Sequence, residues 1–278
     1  MKAGIKKHSI GVILSGGILA VFLMMTLFAG YIAPHDPEQA NLEDRLQEPS
    51  AEYPFGTDHL GRCILSRIIF GTRISLSVGL LVVSSSLLFG MSVGTISGYY
   101  GGLLDDITMR IVDTFLAFPG LLLALGISGL FGAGFTNMVI ALIIVEWTGY
   151  ARLARSSVID VKEHDYVTAS RGLGAKDSHI IIQHIIPNII SPLIVMATIG
   201  MGYAILASAG LSFLGFGVQP PTPEWGSMLT DGRNFIRSAP HIMVFPGLAI
   251  MATVLAFNYL GDSLRDILDP KKNRNSEL

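Results

Sequence analysis

The side chains able to do chemistry in this chain are sparse, and they gather in one stretch. Residues 166–188 read YVTASRGLGAKDSHIIIQHIIPN, which sets Arg171, Lys176, Asp177, His179 and His184 into a chain otherwise poor in charge. Metal binding needs ligands that repeat on one helix face or stand in Cys/His pairs. The single Cys63 and the scattered His35, His59, His164, His179, His184 and His241 supply no such set. Nucleotide hydrolysis needs a phosphate cradle, and no GxxxxGK[ST] run occurs. Proton-coupled transport needs several ionisable groups within apolar helices, and Glu146 is the one carboxylate inside such a run. No catalytic residue, metal ligand or cofactor is therefore assigned to the chain. The 166–188 segment is left with two readings, a solvated helical hairpin at a membrane surface or a docking knob for a soluble partner.

The elements that must position this segment follow from composition. Hydrophobic residues make up 50% of the chain and charged residues 14%, with a mean hydropathy of +0.55. Soluble domains run at about 25% charged, so the chain is a membrane protein. A net charge of -2 gives no global attraction to nucleic acid. A spanning helix needs about 20 apolar residues. The runs place spans near Ile10–Ile32, Ile74–Gly98, Pro187–Gly217 and Ile242–Gly261. The apolar run from Thr114 to Val145 is divided at Gly132, Gly134 and Asn137 into a third and a fourth span, with Pro119 bending the third. The expected fold is an all-α polytopic membrane protein of six transmembrane helices. Lys and Arg concentrate on the side shared by the termini (Lys2, Lys6, Lys7, Arg152, Arg155, Arg171 and Lys176 among them), which predicts that both termini are cytoplasmic.

The polar segment then lies in a cytoplasmic loop, 151–186, too long for a plain connection. Ala169 and Leu173, with Tyr166 and Ser170 beside them, form a narrow small or apolar face, while Arg171 and Lys176 project elsewhere. Gly174 interrupts the helix, Asp177 or Ser178 is placed to cap a second one, and Pro187 marks the entry to the membrane. Gly90, Gly94 and Gly98 make a smooth ridge for helix packing, within this subunit or against another. Glu146 is expected near the end of the fourth helix, at about Tyr150, paired with Arg110, Arg152 or Arg155. On the other side, residues 33–73 and 219–240 form two loops whose Asp58, Arg62, Arg67, Glu224, Asp231 and Arg233 are candidate contacts to another protein or packing on a partner subunit. Leu60, Ile64 and Ile68 suggest an amphipathic helix lying at the interface.

The 166–188 stretch resembles the EAA loop of ABC importer permeases, whose pattern is EAA, three residues, Gly, nine residues, then I-x-L-P. Thr168, Ala169 and Ser170 occupy the EAA positions, Gly174 the glycine, and Ile186 with Pro187 the closing pair. Thr168 in place of the acidic residue is usual in the dipeptide, oligopeptide and nickel branch, and His184 replaces the Ile. Four further stretches look like signature blocks of that branch in order and spacing: APHDP (33–37), FGTDHLGRCILSRIIFGTR (55–73), GLSFLGFGVQPPTPEWGSML (210–229) and FNYLGDSLRDILDP (257–270). Cys63 stands where members commonly carry Asp.

The resemblance implies a type I ABC importer transmembrane domain in a bacterial or archaeal cytoplasmic membrane. It also implies a second permease subunit, two cytosolic ATPases that use ATP and Mg, and an extracytoplasmic substrate-binding protein. The expected division is an N-terminus with first span at 1–33, an external loop at 34–73, a core permease domain at 74–262 and a cytoplasmic tail at 263–278. Coupling to the ATPases falls to Tyr166, Thr168, Ala169, Ser170, Arg171, Leu173, Gly174 and Pro187. The substrate is left between di- or oligopeptides and nickel, free or chelated. The TDHLGR stretch looks more like the nickel subgroup, and His59 and His241 could touch a metal, so the lean is to nickel. The competing class is a secondary transporter or other polytopic protein not coupled to ATPases.

Overall fold

The computed structural model describes residues 2–268, with side chains from residue 11 onward. The described chain is helical, with one isolated bridge between Thr57 and Cys63. Helix α1 (Lys2–Ile32) carries the first apolar span, Gly11–Ile32, and leaves most of that span unburied within this chain. After a loop come α2 (Ile64–Tyr100), α3 (Gly102–Leu116), α4 (Gly120–Phe131) and α5 (Phe135–Lys162). The chain continues through α6 (Asp165–Gly172), α7 (Asp177–Ile180), α8 (Ile186–Phe213), α9 (Trp225–Gly232) and α10 (His241–Leu268). Among the described residues five helices are long and apolar enough to cross a membrane, and the α3–α4 pair, bent by 90°, makes a sixth crossing if it counts as one span. The expected tail beyond Leu268 lies outside the described residues.

Three boundaries differ from the sequence reading, each for a local reason. The second span starts at Ile64, ten residues before the expected Ile74, so the surface helix inferred from Leu60, Ile64 and Ile68 is not a separate interfacial element. Ile64 and Ile68 are buried in a cluster with Ile205, Trp225 and Ile242. The charges of Arg67 and Arg73 break the hydropathy run there without breaking the helix. The third span is preceded by a helix the hydropathy hides: Asp105, Asp106, Arg110 and Asp113 make α3 polar, yet Asp105 pairs with Arg155 and Asp113 with Arg152 on α5. Pro119 breaks this pair, as a residue lacking an N–H and constraining the residue before it should. The fourth span runs past Tyr150 to Lys162, so the polar connection begins at residue 163 rather than 151.

The core lies between α2, α5 and α8, where Val78, Met138, Leu142, Val158, Ile189 and Leu193 are buried. Gly90, Gly94 and Gly98 sit where α2 crosses α5. A Cβ on Gly90 would lie 2.7 Å from that of Tyr150, one on Gly94 2.9 Å from that of Ala154, and one on Gly98 2.9 Å from the Arg155 carbonyl oxygen. The ridge is thus used inside the subunit, where bare backbone lets two long helices approach closely. α5 and α8 are held in this core on either side of the polar turn.

Candidate functional site

Helix α6 begins after His164, whose backbone is extended, and places Asp165 in its first turn, favourable at the positive end of the helix dipole. Val167 is its one fully buried side chain and pins it to the bundle. The face expected from Ala169 and Leu173 points the other way. Leu173 is 90% exposed and Tyr166 43% exposed, and Thr168, Ala169 and Arg171 are exposed with them. The helix ends at Gly174, whose φ of +82° is a left-handed conformation that favours glycine. The Gly174 N–H bonds the Arg171 carbonyl and the Ala175 N–H that of Ser170, at 3.0 and 3.2 Å, the double bond of a Schellman stop.

The second helix is not a separate element. α7 is a single turn that passes through a π-helical turn, Ile181–Ile185, directly into α8, so that 177–213 form one apolar span. Pro187 stands in the first turn of α8, where its missing N–H would otherwise break the ladder, and the Ile186 N–H reaches back to the Ile181 carbonyl in the wider register. Ile180, Ile185 and Ile189 are fully buried along this run. Neither Asp177 nor Ser178 caps α7: Lys176 takes the cap position without a side-chain bond. Asp177 instead accepts a 2.8 Å hydrogen bond from the Tyr99 hydroxyl at the end of α2. Arg171, expected to project away from the Ala169 face, stacks its guanidinium 5.5 Å from the centre of the Tyr99 ring. The Lys162 ammonium donates to the Gly98 carbonyl at 2.8 Å. Asp177 and Arg171 thus lash the α6 turn to the end of α2, and Lys162 ties the end of α5 to it.

The histidines of this end are not as scattered as their spacing implied. The π-helical turn brings the rings of His179 and His184 to 5.8 Å, and Tyr166 lies between His164 and His184 at 5.6 and 5.9 Å. They form no three-ligand group. Among the described residues the group with that geometry is Asp58, His59 and Asp231, whose carboxylates are both engaged by Arg62 and Arg67. Two guanidinium groups there oppose a cation.

The arrangement is an exposed knob, tied to the end of α2, between two core helices. Residues 90–274 match the family described as the binding-protein-dependent transport system inner membrane component, and residues 6–49 match the N-terminal transmembrane domain of oligopeptide transport permease C. The chain belongs to this family. It is 47% identical over 254 residues to the dipeptide transport system permease protein DppC of Alkalihalophilus pseudofirmus, covering 91% of this chain and 84% of that one. Against the glutathione transport system permease protein GsiD of Pectobacterium atrosepticum the identity is 44% over 262 residues, covering 94% and 87%. The methionine ABC transporter MetNI, in an inward-facing conformation, has a chain of similar fold, with a TM-score of 0.62 over 74% of this chain and 98% of that one at 16% identity. The fold is that of an ABC importer transmembrane domain, and the permease is a multi-pass protein of the bacterial inner membrane.

At the end of the permease opposite α6, the residues expected to meet another protein are mostly buried within it. Asp58, Arg62, Arg67 and Glu224 are 1–3% exposed. Arg62 bonds Asp58 at 2.7 Å and Asp231 at 3.0 Å. Arg67 donates to the backbone carbonyls of Pro37 and Pro221. The Glu224 carboxylate caps α9, accepting the N–H groups of Gly226 and Ser227, and burial pushes its pKa above the usual carboxylate range against the pull of those bonds. These charges clamp residues 33–63 to 219–240; of the six, Arg233 alone is exposed. A sequence cannot distinguish such a clamp from a docking patch, since both need paired opposite charges on loops. His241, expected to be able to touch a metal, is buried with its Nε2 3.3 Å from the Thr57 carbonyl.

Glu146 sits well inside α5 rather than near its end, and the expected pairings do not form. Arg152 is held by Asp113, and the Arg155 Nε lies 2.6 Å from Asp105.

Proposed function

We propose that this chain is one permease half of an ATP-driven importer of short peptides, with its termini and the α6 turn on the cytoplasmic side. Its partners are a second permease, two ATPases that bind ATP and Mg, and an extracytoplasmic binding protein that delivers the substrate. The observation that carries this reading is α6 itself, anchored through Val167 and lashed to Tyr99 while Ala169 and Leu173, with the half-exposed Tyr166 beside them, face outward. A helix seated in a partner's groove transmits displacement through packed contacts, and α6 is joined to α5 and α8, two of the core helices.

Peptides replace nickel as the first reading of the substrate. The two relatives quoted are named for dipeptide and glutathione transport, and the histidines that suggested a metal are poorly placed for one: His241 is buried, and His59 stacks on Phe235 beside carboxylates that are already paired with two arginines. The test is Ala169→Glu, which sets a charge in the middle of the exposed face. It should cut co-purification of the ATPases and peptide uptake at least tenfold while the chain still inserts in the membrane. Undiminished co-purification would overturn the coupling role.

A further inference from the structure

A cleft of about 700 Å³ opens along α8 between α5 and α10, within the size range of small-molecule sites. Its polar groups are graded along its length. α5 and α8 run in opposite directions from the α6 turn, and α10 ends on that same side. Ser191, Pro192 and Arg265 therefore line the end nearer α6, while Glu146 and Tyr203 line the deep end with Tyr150 one turn away. From Ser191 to Tyr203 the wall runs about 18 Å at 1.5 Å per residue. An extended dipeptide or tripeptide spans roughly 7–11 Å.

Glu146 is the reason to assign this cleft a ligand. Among the described residues no side chain donates to its carboxylate, while the nearby arginines of α5 are committed to Asp105 and Asp113. An ionisable group in a spanning helix without a partner of its own faces a water-filled path or a bound charge. Acyl chains are a poor occupant for a wall carrying a carboxylate, two phenols and a guanidinium. The charge order, negative in the depth and positive towards α6, matches a zwitterion entering ammonium first, and the tyrosine rings beside Glu146 suit a cation. The two long walls are also the helices joined by the α6 turn.

We propose that this cleft is a binding station for the ammonium end of a short peptide, with Glu146 as its counter-ion and Tyr150 and Tyr203 flanking it. The inference rests on the peptide-import reading above. The test uses the complete transporter with its binding protein in proteoliposomes, supplied with radiolabelled dialanine, glutathione or nickel chloride. Glu146→Gln should lower peptide uptake at least tenfold with the ATPases still associated, and Glu146→Asp should restore it to within threefold. In a Cys63→Ser background, dialanine should slow thiol labelling of Met196→Cys, which lines the same cleft, and Glu146→Gln should abolish that protection. Unchanged peptide uptake by Glu146→Gln overturns the station while leaving peptide import standing. Loss of uptake that Asp does not restore, with protection intact, overturns it in favour of a pairing with the second permease. Nickel uptake without peptide uptake by the unaltered transporter overturns the import reading and the station with it.

Discussion

Asp58→Asn should unlock the end of the permease opposite α6, and the chain carries its own reporter in Cys63, its single cysteine. The Asp58 carboxylate lies 2.7 Å from Arg62 and 3.6 Å from Arg67, whose side chains are each 2% exposed. Removing one partner of a buried ion pair costs about 3–5 kcal/mol, because the charge left behind is uncompensated. Here Asp231 still faces both arginines, at 3.0 and 3.8 Å and 19% exposed, so the lower end applies, about 3 kcal/mol. At about 1.4 kcal/mol per tenfold, the opened population should rise roughly a hundredfold. Cys63 is itself 2% exposed and is reached through such opening. Where reclosure outpaces labelling, maleimide modification of the purified protein should accelerate by the same factor. Glu43→Gln, which neutralises an exposed acid on the same loop, should leave the rate alone. If Asp58→Asn is labelled no faster than the unaltered protein, the clamp does not hold this region together and the reasoning fails.

Gly94→Leu should destabilise the bundle by about 1–3 kcal/mol, through overpacking against Ala151 and Ala154, and show as a lower Tm in detergent. Tyr99→Phe removes one hydrogen bond to Asp177, worth about 1 kcal/mol, while keeping the ring under Arg171; proteolysis within 172–176 should quicken several-fold. Gly174→Val forces a β-branched residue to a φ of +82° at a cost of about 1–2 kcal/mol, and should weaken ATPase association without loss of membrane insertion. Burial raises the Glu224 pKa in the folded chain, so its contribution to stability is greatest below the unfolded carboxylate pKa and is lost as pH rises through the raised value. Glu224→Gln should therefore flatten the pH dependence of Tm between acid and neutral conditions, and an unchanged slope counts against that assignment.

The spans were legible because lipid allows little other than long apolar helices, and Pro119 and Gly174 announced their breaks through backbone chemistry alone. What was illegible depended on pairing across distance. Hydropathy drops at Asp105, Asp113, Arg62 and Arg67 as it does in a solvated loop, yet each is held against an opposite charge on another segment, the two arginines against Asp231. For α3 this concealed a helix, and for α2 its first turns. The signal available was the matching set of opposite charges, Arg152 and Arg155 at helical spacing against Asp105 and Asp113. The π-helical turn at Ile181–Ile185 left no mark in composition, although Pro187 just after it marks where the ladder needs relief. For α6 the sequence reading missed the anchor: Val167 turns inward, and the face of Ala169 and Leu173 is left outward.

The coupling role of α6 is tested most directly by cross-linking. With Cys63→Ser removing the native thiol, Leu173→Cys places a reactive group at a position of the turn whose side chain is 90% exposed. In the assembled transporter it should join to an ATPase subunit through a short bifunctional reagent, with a yield that changes when ATP is bound. Cross-links to the binding protein alone, or modification by an impermeant reagent from outside intact cells, would place the turn on the wrong side of the membrane and contradict the account.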